Sequence, residues 1–188
     1  MSLMLKCTTL LVGLALAAPS FAQTLTLAPA SPQPSGLKQG LAVDYAYYGV
    51  RSLKEAKGKL DRAKAGPPLQ GLSYLDSDPG DKTMTSTSAE KVLAAISGYI
   101  KFDAPGTYDL EFISNDGLEA SIGGQQVALF DGVHGCESAG VTTVQVPQAG
   151  WYEIEATYFQ RKGTACLLMD WGQAGNMEPV PDSAFGYK

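Results

Sequence analysis

Four polar residues in two turn segments form the best candidate ligand-binding site in the sequence. Asn115 and Asp116 occur in Ser-Asn-Asp-Gly, and Asp131 and His134 occur in Phe-Asp-Gly-Val-His-Gly. Loops on a rigid scaffold commonly carry binding sites. Amide, carboxylate and imidazole groups bind hydroxyls, and an aromatic side chain such as Tyr74 covers the apolar face of a sugar. These residue types therefore predict a ligand with many hydroxyl groups, such as a glycan.

The sequence lacks the patterns of common catalytic sites. His134 is the only histidine, and a Ser-His-Asp arrangement around it would have to use Ser138 and Asp131 from the same flexible loop. No Gly-x-Ser-x-Gly, Gly-x-Gly-x-x-Gly or P-loop motif is present. A glycosidase needs two carboxylates across a cleft, but the available ones alternate toward solvent on predicted strands: Asp109, Glu119, Glu153 and Glu155. We therefore expect a protein that is not an enzyme.

Residues 1–22 have the composition of a secretory signal peptide. Lys6 supplies a positive charge, residues 8–18 form an apolar stretch, and residues 20–22 form a small-x-small cleavage site. This stretch, like every other apolar run, is shorter than the roughly 20 residues of a membrane span. We expect an exported protein, periplasmic or extracellular, with no transmembrane segment. The net charge of −5 argues against a nucleic-acid partner.

Two cysteines, Cys136 and Cys166, follow the predicted signal peptide. In an oxidising compartment, one disulfide between them is the economical interpretation. Two free thiols in a reducing environment are the alternative. A zinc site with His134 is disfavoured because the Cys-x-x-Cys spacing of such sites is absent.

The elements that must position these residues are β-strands. Between residues 96 and 132, short runs alternate apolar and polar residues, which is the period of a strand with one buried face. The runs end at Ala-Pro-Gly, Asn-Asp-Gly and Gly-Gly, which favour turns. Because the turns are short, the sequence predicts antiparallel pairing of consecutive strands, and also of residues 141–146 with 151–159. Residues 130–140 are expected to form a long polar loop.

One short amphipathic helix is predicted near the start of the domain. Ser52 to Glu55 form a capping box, and Gly66 with two prolines after it ends the helix. The apolar stripe of this helix is Leu53, Ala56, Leu60 and Ala63. Its outer face is basic, with Arg51, Lys54, Lys57, Lys59, Arg62 and Lys64. We interpret this face as solvated, and a docking patch for an acidic polymer is the alternative.

Two stretches of the sequence carry a recognisable set of motifs: GYIKFDAPGTYDLEFISNDGLEASIGG and VPQAGWYEIEATYFQRKGTACLLMDW. They resemble the protective-antigen (PA-fourteen) domain family, a β-sandwich module of adhesins, toxins and glycosidases. The resemblance implies an all-β, antiparallel β-sandwich with one short amphipathic helix. In fungal adhesins similar to this family, two consecutive aspartates joined by a cis peptide bond hold a calcium ion that binds sugar hydroxyls. The resemblance places Asn115 and Asp116 at that position, and the neutral asparagine weakens the calcium site it implies.

The predicted organisation is a single domain with flanking segments. Residues 1–22 are the signal peptide, 23–39 an extended spacer, 40–172 the sandwich domain and 173–188 a loose C-terminal tail. The first functional hypothesis is an exported carbohydrate-binding module that holds a glycan, with or without calcium, in loops at one end of the sandwich. The alternative is a non-catalytic structural or assembly subunit of a cell-envelope complex, which docks on an envelope protein through a strand edge or the basic helix.

Overall fold

The computed structural model describes residues 24–188, so the predicted signal peptide lies outside the described residues. These residues form two β-sheets packed face to face, with one α-helix, α1 (Leu53–Lys57), and 3₁₀ helices at Leu60–Arg62 and Asp182–Ala184. The strands are β1 (Leu25–Thr26), β2 (Lys38–Gln39), β3 (Ala42–Tyr47), β4 (Lys64–Ala65), β5 (Ser73–Tyr74), β6 (Val92–Phe102), β7 (Gly106–Ser114), β8 (Leu118–Ile122), β9 (Gln125–Phe130), β10 (Glu137–Val146), β11 (Gly150–Gln160), β12 (Leu167–Gln173), β13 (Asn176–Pro179) and β14 (Phe185–Tyr187).

The two sheets have different strand orders. The first runs β1-β10-β7-β12-β13, with β5 also paired to β12. The second runs β2-β14-β6-β11-β8-β9, and β3 joins it between β6 and β4. Every pair of these strands is antiparallel except β1 with β10. The predicted all-β sandwich with one short helix is confirmed.

The core lies between the facing sides of the two sheets. Alternating positions of β7 bury Leu110 and Phe112, while β11 buries Tyr152 and Tyr158 from the opposite sheet. Burying each of these large side chains stabilises the fold by about 1.5–3 kcal/mol. The ring of Phe102 meets that of Tyr152 edge to face, with centroids 5.3 Å apart. The apolar residues of the period-two pattern therefore form the interior of the sandwich.

Several short turns carry the chain from one sheet to the other instead of closing hairpins. The β6–β7, β7–β8 and β10–β11 turns all cross between the sheets, so the predicted antiparallel pairing at these turns is wrong. The β8–β9 turn at Gly123 and Gly124 does close an antiparallel hairpin. Alternation specifies which residues of a strand face the core, but both a hairpin and a crossing satisfy that requirement.

The helix is shorter than predicted because it is interrupted at Gly58, and a 3₁₀ turn follows. Ser52 Oγ accepts a hydrogen bond from Glu55 N, which confirms half of the predicted capping box. The Glu55 carboxylate accepts instead from the backbone N–H of Arg51, at 2.9 Å. Helix α1 packs on the outer face of the second sheet, where a small apolar cluster contains Ala46, Val50, Leu53, Ala56, Leu93 and Phe159.

Both flanking segments belong to the packed structure. In the first segment, β1 pairs with β10 and Leu27 is buried. In the second, β13 pairs with β12, β14 pairs with β6, and Phe185 is buried. Residues 24–39 of the predicted spacer (23–39) and the predicted loose tail (173–188) are therefore packed parts of the sandwich, which corrects both expectations for the described residues. Edge strands of two to four residues are too short to show alternation in the sequence. Among residues 24–188, no helix has the length and apolar character needed to cross a membrane.

Candidate functional site

Asn115 lies in the turn that crosses from β7 to β8, and its side chain is 3% exposed. Its Oδ1 accepts hydrogen bonds from the Tyr158 hydroxyl at 2.6 Å and from the backbone N–H of Cys166 at 2.9 Å. Its Nδ2 donates to the carbonyl of Thr164 at 2.8 Å. Both lone pairs of the amide oxygen are thus used within the fold. Asn115 joins the crossing turn to β11 and to the start of β12.

Asp116 has φ 51° and is 2% exposed. One carboxylate oxygen accepts from the backbone N–H of Arg161 at 2.6 Å, and the other accepts from that of His134 at 3.3 Å. Burial raises the pKa of Asp116, and the two N–H donors offset part of that rise. The carboxylate therefore ties two neighbouring loops to the crossing turn.

Gly117 is required in this turn for a reason other than positive φ. The left-handed backbone conformation falls on Asp116. A Cβ on Gly117 would overlap the buried ring of Phe159, so the absence of a side chain lets β11 approach the turn.

The loop that holds Asp131 and His134 is shorter than predicted. β9 extends to Phe130 and β10 begins at Glu137, which leaves only residues 131–136 outside the strands. The Asp131 carboxylate accepts from Leu53 N at 2.7 Å and thereby caps α1. The imidazole of His134 stacks on Phe130, with centroids 3.6 Å apart. The structure brings this loop together with Asn115 and Asp116, and gives most of these polar groups partners within the fold.

The predicted disulfide between Cys136 and Cys166 is confirmed, and it links the 131–136 loop to the segment before β12. Tyr74 lies elsewhere, in β5 beside Leu167. Its hydroxyl accepts from the backbone N–H of Gln70 at 3.4 Å and makes no hydrogen bond with the 131–136 loop. The structure therefore does not add Tyr74 to the other predicted site residues.

Asn115 and Asp116 do not fit a calcium ion as they are arranged. Calcium needs six to eight oxygen ligands that converge on one point. The side-chain oxygens of both residues accept hydrogen bonds from protein donors, and both side chains are buried. The peptide bond between them is trans, since the cis bond within residues 24–188 is Ser31–Pro32. We derive no binding step through calcium at this turn.

One side-chain cluster in the described part of the chain has metal-like spacing, formed by Asp76 with Cys136 and Cys166. The two sulfurs belong to the disulfide, so neither is a thiolate. This cluster does not provide the ligands of a metal site.

A groove of about 550 Å³ lies at the end of β3, outside the predicted loops. We call it the tyrosine groove, and its principal lining residues are Tyr45, Tyr47, Tyr48, Arg62, Lys64 and Thr87. Tyr45 and Tyr47 lie on the same face of β3. Their rings are stacked, with 6.5 Å between the ring centroids and 23° between the ring planes. Tyr45 is buried beneath the groove, whereas Tyr47 is 45% exposed. The groove therefore presents an aromatic surface to solvent.

Hydroxyl contacts hold the two rings in place. The Tyr47 hydroxyl accepts from Thr87 Oγ1 at 2.9 Å and from Thr87 N at 3.3 Å. Thr85 Oγ1 donates to the Pro67 carbonyl at 2.6 Å, so the Tyr45 hydroxyl, 2.9 Å from Thr85 Oγ1, is the donor in that pair. Burial raises the pKa of Tyr45 to about 12, so this hydroxyl keeps its proton at neutral pH. Hydrogen bonds within the fold therefore fix the hydroxyl ends of both rings without a ligand.

Cationic groups border the same surface. Arg62 and Lys64, which follow α1, line the groove, and Lys59 Nζ lies 5.6 Å from the centre of the Tyr48 ring. The Tyr48 hydroxyl raises the pKa of Arg62. The sequence analysis did not select this site. The signal available for it was three tyrosines within four residues at the end of a strand, next to the basic helix.

Comparisons with known proteins agree with the fold. The profile of the PA14 domain matches residues 76–184. No curated protein matches the sequence significantly. Similar solved structures include the PA14 domain of the antifreeze protein MpAFP, with a TM-score of 0.66 and 16% identity over 85% of this chain and 96% of that chain.

The descriptions of two further similar structures mention sugars. The PA14 sugar-binding domain from an RTX adhesin has a TM-score of 0.64 and 18% identity over 80% of this chain and 99% of that chain. The A domain of epithelial adhesin 9 from Candida glabrata, in complex with Galβ1-3GlcNAc, has a TM-score of 0.63 and 14% identity over 84% of this chain and 92% of that chain. At these identities the likeness shows the fold. Because the profile covers more than half of the sequence and the sandwich agrees with it, this chain belongs to the PA14 domain family.

Proposed function

We propose that the protein is an exported, non-catalytic carbohydrate-binding module that holds a glycan in the tyrosine groove. Support comes from its family and from two similar structures whose descriptions name a sugar-binding domain and a bound disaccharide. The disulfide and the predicted signal peptide support export to the periplasm or the extracellular space.

The observation that carries the proposal is the exposed ring of Tyr47. Its hydroxyl is fixed by Thr87, so the ring face is presented without further ordering. Sugars bind to such faces through their apolar C–H groups while their hydroxyls pair with nearby polar groups. Within the groove, the exposed side chains of Arg62, Lys64 and Thr87 supply polar groups beside the ring. A preorganised surface lowers the entropy cost of binding.

We place the site in this groove rather than at the predicted loop residues for a physical reason. Asn115 and Asp116 are buried, and Asp131 caps α1. A sugar at those residues would have to break hydrogen bonds that hold loops together, at about 1–3 kcal/mol for each buried group left without a partner. The tyrosine groove requires no such rearrangement.

The test is glycan binding by matched tyrosine variants. Binding to a glycan panel identifies the best ligand, and calorimetry then measures its affinity for the parent, Tyr47→Ala, Tyr47→Phe and Tyr99→Ala. Tyr99 is a matched control because it is half-buried on β6 and has a cation, Lys188, over its ring. We expect Tyr47→Ala to weaken binding at least tenfold, and Tyr47→Phe and Tyr99→Ala to stay within threefold of the parent.

Two results would refute the proposal. If Tyr47→Ala folds like the parent by circular dichroism and binds equally well, the glycan is not held in this groove. If the parent binds no glycan on the panel, the assembly-subunit hypothesis replaces carbohydrate binding.

A further inference from the structure

A second groove, of about 260 Å³, lies next to the tyrosine groove and is rich in cations. We call it the basic groove, and its charged lining residues are Arg51, Glu55, Glu90, Lys91, Arg161 and Lys162. Four positive side chains and two negative ones meet there, in a chain whose net charge is −5. This concentration of positive charge is opposite in sign to the protein as a whole.

The two carboxylates of the basic groove already accept hydrogen bonds from backbone N–H groups. Glu55 accepts from Arg51 N at 2.9 Å, and Glu90 accepts from Gly163 N at 3.2 Å. Over residues 24–188 the ion pairs are Lys57–Glu119 and Lys101–Asp103. The four cations of the basic groove therefore have no carboxylate partner within 4.0 Å in the described structure, and their charge is available to a ligand.

The linings of the two grooves are adjacent at the end of β3. Gly49 of the basic groove directly follows Tyr48 of the tyrosine groove. Tyr47 is paired with Val92, which places Lys91 beside Tyr48 and Gly49. The aliphatic carbons of the Lys91 side chain lie within 3.8 Å of the position that a Cβ on Gly49 would occupy, so Lys91 packs against Gly49. Lys91 N donates to the Arg161 carbonyl at 3.1 Å, which joins this strand end to the 161–162 turn.

We propose that the ligand is an acidic glycan, such as a uronate polysaccharide, that stacks on Tyr47 and extends into the basic groove. This inference rests on the proposed function. Arg62 and Lys64 border the first groove, and Arg51, Lys91 and Arg161 continue the positive charge into the second. Guanidinium groups bind carboxylates through paired hydrogen bonds, and ammonium groups add point charges. A neutral glycan would gain no charge-assisted hydrogen bonds from these cations.

The number of exposed aromatic rings and the net charge of the chain favour a polysaccharide over a nucleic acid as the ligand. One exposed aromatic ring, Tyr47, serves the two grooves, whereas single-stranded nucleic acids stack successive bases on several aromatic side chains. The negative net charge of the chain also repels a polyanion of high charge density at long range. A polysaccharide with one carboxylate per sugar carries less charge along its length than a nucleic acid. It is therefore repelled less by the whole chain and can bind the local positive patch.

The experiment compares acidic with neutral glycans, and then one acidic glycan with its uncharged methyl ester. The panel contains uronate polysaccharides, alginate and hyaluronan, and neutral ones, galactan and mannan. The best acidic ligand is measured again after its carboxylates have been converted to methyl esters. We expect the parent to bind the acidic form at least tenfold more tightly than the ester, and only the acidic form to lose affinity between 50 mM and 500 mM NaCl.

Matched variants locate the charge that the glycan contacts. In Arg161→Gln/Lys162→Gln, the backbone N–H of Arg161 that binds Asp116 is retained, so the fold is preserved. We expect this variant to lose at least tenfold in affinity for the acidic glycan and to bind the ester like the parent. The control Lys38→Gln/Lys188→Gln removes the same charge from β2 and the chain end, outside both grooves, and should bind like the parent.

The outcomes separate this inference from the proposed function. If the parent binds neutral glycans or the methyl ester as tightly as the acidic form, or if the Arg161 and Lys162 variant is unaffected, the inference is overturned and carbohydrate binding stands. Equal affinity for single-stranded DNA also overturns the inference, since the surface would then bind any polyanion. If no glycan binds, acidic or neutral, the proposed function itself is refuted.

Discussion

Replacement of Asn115 by alanine tests whether the crossing turn is structural. The substitution removes the hydrogen-bond partner of the Tyr158 hydroxyl and that of the Cys166 N–H, whereas the Thr164 carbonyl keeps a hydrogen bond from Gln160 Nε2 at 3.3 Å. Tyr158 is 0% exposed and Cys166 is 1% exposed, so water cannot replace the lost partners without entering the core. A buried group left without a partner costs about 1–3 kcal/mol. Because these two groups share one site and their costs do not add independently, we expect a loss of about 2–4 kcal/mol in the free energy of unfolding.

The assay is urea unfolding at pH 7 with the disulfide intact, followed by tryptophan fluorescence. The control is Asn176→Ala in β13, where the exposed amide makes one hydrogen bond of 3.5 Å, to Gln173. We expect the control to change the free energy of unfolding by less than about 0.5 kcal/mol. A loss below about 1 kcal/mol for Asn115→Ala would refute the hydrogen-bond argument. If that variant stayed as stable as the parent but no longer bound glycan, Asn115 would be a ligand-binding residue, as the sequence analysis predicted.

Three further predictions concern the disulfide, calcium and alkaline pH. The Cys136–Cys166 disulfide spans 30 residues, so the Cys136→Ser/Cys166→Ser variant should lose about 3–4 kcal/mol in urea unfolding, and equal stability would contradict this. Because Asn115 and Asp116 do not fit calcium, 1 mM calcium and excess EDTA should give melting temperatures that agree within about 1 °C, and a calcium-dependent increase would place an ion in the fold. The pKa of Tyr45 is raised from 10.0 to about 12, so the unfolded state releases this proton at lower pH and stability falls as pH rises from 10 to 12. Tyr45→Phe should reduce that fall in unfolding experiments at pH 9 to 12, and an unchanged slope would show that the hydroxyl is not the responsible group.

Local features of the chain were predictable from the sequence because they depend on neighbouring residues. Alternation between residues 96 and 132 predicted the strands, and Ser52 with Glu55 predicted where the helix begins. Two cysteines after a predicted signal peptide predicted the disulfide. The motifs of two stretches were specific enough to predict the family, which the profile match confirms.

Only the tertiary structure decided how the strands pair and what the polar residues do. The turn at Asn115 and Asp116 has the composition of a hairpin, yet it crosses between sheets and turns both side chains inward. Whether a polar side chain faces solvent or a buried N–H depends on elements far along the chain, here β11 and the 131–136 loop. Tyr47, Lys64, Thr87 and Lys91 come together only when β3, β4 and β6 pair, because hydrogen-bonded strands bring together residues that are distant in sequence.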